Sequence, residues 1–389
     1  MSLLPIPNGL VVLTFDDGNK SDFTYVAPLL KRYGFSATFY VTEGLNVLTD
    51  KERRLTWEEI KKLHEDGFEI GNHTGKHPNI IPLSKEQVLD QVRHMEKRCQ
   101  ENGIPKPTTF AYPGGHHDRK SIQVLENLGY FYARRGAEPE YPVISDGSRG
   151  PVYTPEEDHP LLVPSTTVSG PNLGFQDLVW AVSQARNGKI AVLTFHGVPD
   201  VYPHCSTKPS EFSRYMRYLH NQGCTIIAMR DLSRYVDSTK RPEEPFGVIK
   251  QRIRVTPTQL KCEYTTDLLE IDGSQARLSW TLQSHHREQI QFAYQILAAS
   301  SKEKLKHSIA DLGDSGKVVS DQSVNVPYSG SALMRGQKCW WKVRYWNKLS
   351  ANGIDMMRPY NDPEILQELQ IKKVSQYSEL ATFEITDKA

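Results

Sequence analysis

Two aspartates stand side by side after an apolar run, in Val11-Val12-Leu13-Thr14-Phe15-Asp16-Asp17-Gly18. The run predicts a buried strand, and a strand that ends in adjacent carboxylates brings like charges together where water is scarce. Such a pair is costly unless a cation or a proton takes up one of the charges. The alternative is that Asp16 and Asp17 only cap the following helix, because Asp-Gly after a strand is common turn chemistry.

Two histidines follow a second short strand, Phe68–Asn72, in a turn that contains His73 and His77. Four residues apart, their imidazoles can both reach one ion. The C-terminal ends of parallel strands open on one face of a sheet, so we expect Asp17 to meet both histidines there. Two nitrogens and one oxygen, with positions left for water, are typical of a catalytic zinc site or a similar divalent metal. Two solvated loop histidines are the alternative.

A third apolar strand, Lys189–Phe195, is followed by His196. A lone histidine at a strand end is more often structural, but this one belongs to the same rim as the other two motifs. We therefore predict His196 as a general acid, because the pKa of an imidazole is easily tuned near neutrality. Asp16, the carboxylate left beside the metal, is predicted to be the general base.

These residues resemble the polysaccharide deacetylases with a NodB-homology domain, carbohydrate esterase family four. Four motifs of that family occur in the family's order, at Thr14–Gly18, His73–His77, Phe110–Gly115 and Leu193–His196. The resemblance covers about residues 8–235. It implies Asp16 as the catalytic base, Asp17, His73 and His77 as the metal ligands, and His196 as the acid.

The third of these motifs carries a further implication and a departure. By alignment, the backbone N–H of Gly114 helps to hold the oxyanion, and Tyr112 belongs to the same oxyanion and substrate-binding segment. Many members of the family place an arginine where Ala111 stands, and that arginine contacts the catalytic aspartate. The family also has a motif with a tryptophan; Trp180 lies on a predicted helix, and we expect it to be a core residue instead.

The first two-thirds of the chain alternates predicted strands and helices. Capping boxes at Thr56–Glu59 and Ser84–Gln87 mark two helix starts, and Tyr130–Arg134 is one of the predicted strands. Alternation of this kind requires parallel strands with right-handed crossovers. The resemblance favours a distorted or incomplete (β/α) barrel of about seven strands over an open sheet. The segment 136–171 lacks helical periodicity, and we predict that it walls the cleft.

A polar, proline-containing stretch, Asp237–Pro245, predicts a linker, and beyond it the helices stop. We assign 1–237 to the deacetylase-like domain, 238–250 to the linker and 251–389 to a β-sandwich with alternating strands. The sandwich resembles the fibronectin-III-like N-terminal region of bacterial α-L-rhamnosidases. The matching segments are Ala293–Leu297, Asp314–Val318 and Trp340–Arg344.

Four aromatic residues on one predicted strand suggest a sugar-binding platform, but alternation divides them. Trp340 and Trp346 share one face of the strand, and Trp341 and Tyr345 share the other. One face must be core, so we expect most of these side chains to be structural. Among the five cysteines, Cys262 and Cys339 are candidates for a disulfide across the sandwich, which the sequence leaves open.

Composition excludes several classes of function. The 389 residues carry a net charge of +1, which provides no basic field for nucleic acid. No stretch approaches the ~20 apolar residues needed to span a bilayer. The first strand begins soon after Met1, so we expect no signal peptide here: the protein is cytoplasmic, or a leader was removed. A polymer substrate favours export, and we expect a secreted or periplasmic protein.

The sequence thus predicts a metal-dependent hydrolase that removes N- or O-linked acetyl groups from a carbohydrate polymer or oligomer. Zinc is the expected metal, with Co²⁺, Ni²⁺ or Mn²⁺ as alternatives. Two other functions stay open. The same scaffold can hydrolyse a non-sugar amide, or the chain is a carbohydrate-binding protein whose catalytic centre has decayed. The substrate glycan and the oligomeric state are not predicted.

Overall fold

The computed structural model describes residues 3–141, 148–252, 256–263, 270–271, 276–283, 291–347, 375 and 377–385. These residues form two compact units, one up to Ile249 and the other from Lys250 onward. The division falls at the end of the predicted linker. The limits 1–237, 238–250 and 251–389 themselves stay a prediction.

The first unit contains eight strands and seven helices, the last of which crosses its boundary. The strands are β1 Leu10–Phe15, β2 Thr38–Val41, β3 Glu69–Asn72, β4 Thr109–Ala111, β5 Tyr132–Arg134, β6 Thr167–Val168, β7 Ala191–Phe195 and β8 Thr225–Ile227. The helices are α1 Ala27–Tyr33, α2 Trp57–Glu65, α3 Lys85–Glu101, α4 Arg119–Asn127, α5 Phe175–Gln184, α6 Pro209–Asn221 and α7 Gly247–Arg252. A π-helical turn, Asp22–Val26, precedes α1, and short 3₁₀ turns span Pro113–Gly115, Pro160–Leu162 and Met229–Arg234.

All strand pairs in this unit are parallel, in the order β5-β4-β3-β2-β1-β7-β6, and β8 pairs with the first half of β1. The two ends of this row meet. Arg134 at the end of β5 bridges Val163, and three residues later Thr166 donates its N–H to the carbonyl of Val192 in β7 (2.7 Å). The predicted distorted barrel of about seven strands is confirmed.

The segment 136–171 is more than the loop that the sequence predicts. Its residues 163–168 supply the closing stretch of the barrel, including β6, and a short helical turn, Pro160–Leu162, precedes them. Residues 142–147 lie outside the described part. The segment lacks helical periodicity as expected, but only the long-range pairing with β5 and β7 makes part of it a strand.

Local sequence accounts for where the helices begin and end. Both predicted capping boxes form, with the Thr56 hydroxyl accepting from the Glu59 N–H and the Ser84 hydroxyl from the Gln87 N–H (each 3.2 Å). Gly34 ends α1 in the left-handed region, at φ 68°. The predicted strand Tyr130–Arg134 is β5, shortened by two residues.

Alternation along the strands divides the core into two clusters. Val11, Leu13 and Phe15 of β1 pack under the surrounding helices, in a cluster that includes Trp180 at its partly buried edge, as expected. Leu10 and Val12 point the other way, into the barrel, where they meet side chains of other strands such as Val192. The residues that continue this inward series along β1 are Thr14 and Asp16.

The second unit is built from antiparallel strands, as predicted. In the described ranges its strands are β9 Thr256–Cys262, β10 Glu270–Ile271, β11 Arg277–Gln283, β12 Gln291–Ala299, β13 Gly313–Asp314, β14 Val318–Val319, β15 Val326–Pro327, β16 Lys338–Asn347 and β17 Ala381–Ile385, and the helix α8 spans Lys302–Lys306. One sheet has the order β10-β17-β16-β12-β13, with β14 on β12, and the other the order β15-β11-β9. The pairings are antiparallel except for the two-residue contact of β10 with β17.

The aromatic residues of β16 divide as alternation predicts. Trp341 and Tyr345 are buried, and Trp341 lies in the sandwich core, whereas Trp340 and Trp346 are half-buried on the opposite face. Cys262 and Cys339 share that core, yet all five cysteines are free thiols, so the candidate disulfide is absent. Among the described residues, no helix is long and apolar enough to cross a membrane.

Candidate metal centre and active site

The inward-facing side chains of β1 and of β7 end in polar groups at one mouth of the barrel. The Thr14 hydroxyl lies 3.3 Å from that of Thr194, at the same level of the adjacent strand β7. One step further along these strands come Asp16 and His196. Because strand alternation aims both at the barrel axis, the two predicted catalytic residues meet without any special turn.

Asp17 follows the strand in a left-handed conformation, at φ 74°. Its Oδ1 lies 3.3 Å from the Nε2 atoms of both His73 and His77. The potential ligand atoms of the three side chains lie within 4.8 Å of one another. The structure thus brings together the three residues that the sequence singled out as metal ligands.

The histidine turn is held by its own polar atoms. The Asn72 side-chain carbonyl accepts the Thr74 N–H (2.9 Å), and the Thr74 hydroxyl accepts the His77 N–H (3.1 Å). Thr74 and His77 both adopt positive φ angles, 66° and 55°, so the turn is tight and not helical. This conformation places the two imidazoles 4.8 Å apart, nearly perpendicular to each other.

The rings are oriented for a shared ion. The Nδ1–H of His73 donates to the carbonyl of Ala111 (2.8 Å), which leaves Nε2 with its lone pair towards Asp17. Burial lowers the pKa of His73, but the neighbouring carboxylates of Asp17 and Asp16 more than reverse this and raise it. Burial, reinforced by His73, lowers the pKa of His77 to about 4. Burial raises the pKa of Asp17, yet the three surrounding histidines hold it well below its usual range.

A divalent metal fits this donor set. Asp17 Oδ1 is buried and has no aligned hydrogen-bond donor among the described residues, although two imidazole nitrogens lie 3.3 Å away. Three such atoms that surround a point without bonding one another are what a cation site requires. One carboxylate and two imidazoles suit zinc, and the hydrogen bond from His73 Nδ1 to the Ala111 carbonyl is of the kind that orients zinc ligands.

Asp16 pairs with an arginine that sequence analysis missed. The guanidinium of Arg134 donates to Asp16 Oδ2, and both side chains are buried. Arg134 lies opposite Ala111 in the pairing of β4 with β5. Ala111 itself has no charged group, and the guanidinium comes from the neighbouring strand. Its only signal was that Arg134 ends a predicted strand, as Asp17 and His73 follow theirs.

His196 faces both aspartates. Its Nε2 lies 4.0 Å from Asp16 Oδ2 and 4.0 Å from Asp17 Oδ2. The other ring nitrogen, Nδ1, lies 2.9 Å from the hydroxyl of Ser169, a residue that sequence analysis also missed. Ser169 follows β6 in the segment 136–171, so this segment does contribute to the wall of the site.

Two residues of the third motif, Gly114 and Tyr112, have different surroundings. Gly114 adopts φ 60° in the turn after β4 and borders the site. Tyr112 is buried; its hydroxyl donates to the Leu161 carbonyl (3.0 Å) and its N–H to the Arg134 carbonyl (3.0 Å). Both hydrogen-bond donors of Tyr112 therefore hold the barrel together, and the residue also borders the site; its role towards substrate stays a prediction, as does that of Gly114.

One cavity of about 480 Å³ is bordered by all the predicted site residues: Asp16, Asp17, His73, His77, Tyr112, Gly114 and His196. Besides the predicted residues, its lining contains Arg134, Glu138, Ser169, Tyr202 and His204. Burial raises the pKa of Glu138 to about 7. The cavity thus combines a candidate metal site, a paired carboxylate and a histidine within reach of one small group.

Two family models match parts of the chain. The polysaccharide deacetylase model matches residues 5–133, and the Rha78A-like N-terminal immunoglobulin domain model matches residues 257–354. Both agree with the resemblances drawn from the sequence. The first match contains Asp16, Asp17, His73, His77 and Gly114, and it ends one residue before Arg134.

Curated relatives match the same two regions. A putative polysaccharide deacetylase of Bacillus subtilis is 28% identical over 120 residues, which are 31% of this chain and 42% of the relative. A chitin deacetylase of Colletotrichum lindemuthianum is 34% identical over 122 residues, 31% of this chain and 48% of the relative. An α-L-rhamnosidase of Streptomyces avermitilis is 43% identical over 95 residues, 24% of this chain and 9% of the relative. The matched part is less than half the length of each of these relatives.

Proposed function

We propose that this chain, whose N-terminal unit carries a polysaccharide deacetylase domain, is a metal-dependent hydrolase that removes acetyl groups from a carbohydrate polymer or oligomer. The observation that carries the proposal is the meeting of four groups in one cavity. A candidate Asp-His-His metal site lies beside a carboxylate paired with arginine, a histidine and a glycine turn. Metal-assisted hydrolysis of an acetyl group can use each of these parts, as Lewis acid, general base, general acid and oxyanion donor.

Asp17, His73 and His77 would hold the metal. When bound, a divalent cation polarises the acetyl carbonyl and makes a water molecule more acidic. Zinc is our proposal because the donor set suits it, with Co²⁺, Ni²⁺ or Mn²⁺ as alternatives. The partly buried imidazole of His77, whose pKa is lowered to about 4, remains available as a ligand at neutral pH.

Asp16 would act as the general base. Its Oδ2 is held by Arg134, whereas Oδ1 is buried and has no hydrogen-bond partner among the described residues. Oδ1 is therefore the oxygen that is available to accept a proton from the attacking water. The guanidinium also offsets the repulsion between two adjacent carboxylates, which is the cost that the Asp-Asp pair incurs.

His196 would act as the general acid, because its Nε2 faces the cavity on the side of both carboxylates. It would protonate the amine or alcohol that leaves when the acetyl carbon releases it. The backbone N–H of Gly114 would stabilise the negative oxygen that forms in between. The carbon–nitrogen or carbon–oxygen bond then breaks, and acetate and the free sugar are the products.

The substrate is proposed as an acetylated glycan, N- or O-linked, since one matched relative is named a chitin deacetylase. A secreted or periplasmic location is part of the same proposal, because polymeric glycans are found outside the cytoplasm. Association of a deacetylase unit with a module similar to part of an α-L-rhamnosidase is consistent with glycan chemistry.

Acetate release tests this function. The purified chain is stripped of metal, reloaded with zinc and incubated with N-acetylglucosamine oligomers, acetylated xylan and a set of small acyclic and cyclic amides. We expect zinc-dependent acetate from at least one glycan. Turnover of the small amides alone would assign the non-sugar amide function, and glycan binding without any turnover would assign the decayed binding protein.

A further inference from the structure

One hydroxyl, that of Ser169, contacts His196 at two points. Ser169 is buried, and its Oγ accepts the backbone N–H of His196 (3.0 Å) and lies 2.9 Å from Nδ1 of the same residue. Its backbone is fixed as well, because its N–H donates to the Thr194 carbonyl (2.9 Å). The third contact of Oγ is the backbone carbonyl of Cys205, at 2.8 Å.

The direction of these hydrogen bonds follows from counting protons. A serine hydroxyl has one proton to donate, and a carbonyl oxygen can only accept. The Ser169 proton is therefore committed to the Cys205 carbonyl, and Oγ can only accept from His196. It follows that Nδ1 of His196 carries a proton, and that Nε2 is the nitrogen with the lone pair when the ring is neutral.

We propose that Ser169 is a positioning residue that fixes the tautomer and the orientation of His196. In Ser-His-Asp triads a carboxylate does this for the histidine. Here the Ser169 hydroxyl, which donates its own proton to Cys205, accepts the Nδ1 proton of His196. It does so without adding a third negative charge next to Asp16 and Asp17. The segment that closes the barrel thereby also sets the direction in which the histidine acts.

The consequence for the reaction rests on the proposed function. When the carbon–nitrogen bond breaks, its electron pair goes to nitrogen, which takes the proton from Nε2 of the protonated ring. The ring is then left as the neutral tautomer with its proton on Nδ1. That is the tautomer held by Ser169, so the same hydrogen bond persists before and after the transfer, and no ring rotation is needed.

A spectroscopic test does not depend on activity. Long-range proton–nitrogen correlation spectra of the full metal-free chain, at a pH where the ring is neutral, distinguish the two tautomers, and the His196→Asn spectrum identifies the signals. We expect the wild-type chain to show protonated Nδ1 and unprotonated Nε2, and Ser169→Ala to show a mixture. A wild-type ring with its proton on Nε2 would overturn the proposal.

A kinetic test uses two leaving groups. Proton donation matters for the amine of an N-acetylated sugar and hardly at all for the nitrophenolate of 4-nitrophenyl acetate. For Ser169→Ala we expect kcat on the N-acetylated sugar to fall about 100-fold with little change in KM, and the nitrophenyl ester rate to stay near wild type. Ser169→Thr, which keeps the hydroxyl, should restore most of the loss.

Thr167, two residues before Ser169, provides a matched control. Its hydroxyl is buried and has no partner among the described residues, so Thr167→Ala should leave both rates unchanged. Equal losses on both substrates in Ser169→Ala would show a merely structural role and refute the proposal. A wild-type chain that hydrolyses neither substrate would sink the proposed function, whereas the tautomer would still be decided by the spectra.

Discussion

At the scale of single residues, Asp16 and Asp17 are adjacent in the sequence but have different surroundings. Asp16 continues the inward series of β1 and meets Arg134, whereas the positive φ of Asp17 turns its carboxylate towards two histidines. Asp16 therefore has a cationic partner, whereas Asp17 faces two imidazole nitrogens that could share a metal with it. The two adjacent carboxylates are therefore suited to different roles, Asp16 to that of a base and Asp17 to that of a metal ligand.

The first prediction concerns the base. Asp16→Asn removes the group that accepts the proton but leaves Asp17, His73 and His77 in place. We expect zinc binding to be retained and acetate release to fall by about 1,000-fold or more. Zinc content and turnover are measured on the same preparation, and a variant with near-normal rates would refute the assignment of Asp16 as the base.

The second prediction concerns Arg134. Arg134 stands opposite Ala111 in the register of β4 with β5, and its guanidinium pairs with Asp16. Arg134→Ala therefore leaves the Asp16 carboxylate without its buried cation. We expect turnover to fall about 10- to 100-fold with zinc content unchanged, since charge-assisted bonds of this kind are worth about 1.5–3 kcal/mol.

The double variant Ala111→Arg with Arg134→Ala is the matched control for that prediction. It moves the guanidinium to the facing position on β4, and we expect part of the lost turnover to return. Wild-type turnover in Arg134→Ala would show that the arginine is only structural.

The third prediction is a dependence of metal affinity on pH. In the metal-free site the pKa of His73 is raised above its usual 6.5, whereas that of His77 is about 4 and that of Asp17 is held low. At about pH 6, His73 is therefore the one ligand that must lose a proton before the metal binds. We expect zinc affinity to weaken as pH falls and about one proton to be released per zinc, as measured by calorimetry in two buffers. No proton release at that pH would contradict it.

At the scale of elements, local signals predicted what local physics determines. The capping boxes of α2 and α3, the apolar runs of β1 and β7 and the end of α1 at Gly34 all follow from neighbouring residues. The contribution of Arg134 and Ser169 does not. Each depends on a register between strands that are distant in the sequence, β4 with β5 and β6 with β7. Motif spacing carries no information on such registers.

The fourth prediction tests the segment that follows β5. Arg135 and Glu140 form an ion pair with side chains 0% and 1% exposed, and Arg135 also donates to the Leu162 carbonyl (3.2 Å). Glu140→Ala removes both hydrogen bonds that this buried carboxylate accepts from the guanidinium, so it should lower the free energy of unfolding by about 3–5 kcal/mol.

The exposed pair Lys62 and Glu65 is the control for this prediction, with side chains 53% and 50% exposed. Glu65→Ala should change the free energy of unfolding by less than about 1 kcal/mol. Chemical denaturation of both variants gives the comparison. Equal effects of the two substitutions would mean that Arg135 and Glu140 do not hold the closing segment.

At the scale of the whole molecule, the candidate catalytic site belongs to one of the two units. All residues that border the candidate site lie in the first unit, from Asp16 to Cys205. The aromatic strand of the second unit places Trp341 and Tyr345 inside the protein, which leaves only Trp340 and Trp346 partly exposed. The catalytic proposal therefore depends on the first unit alone.

The central claim is that Asp17, His73 and His77, from two separate segments, hold one divalent cation. A zinc titration of the metal-free chain, followed by elemental analysis after desalting, tests it most directly. We predict one zinc per chain in the wild type, loss of that zinc in His73→Ala, and retention in His307→Ala, whose exposed histidine lies in the second unit. A wild-type chain that retains no metal, or a His73→Ala chain that retains it fully, would contradict the account.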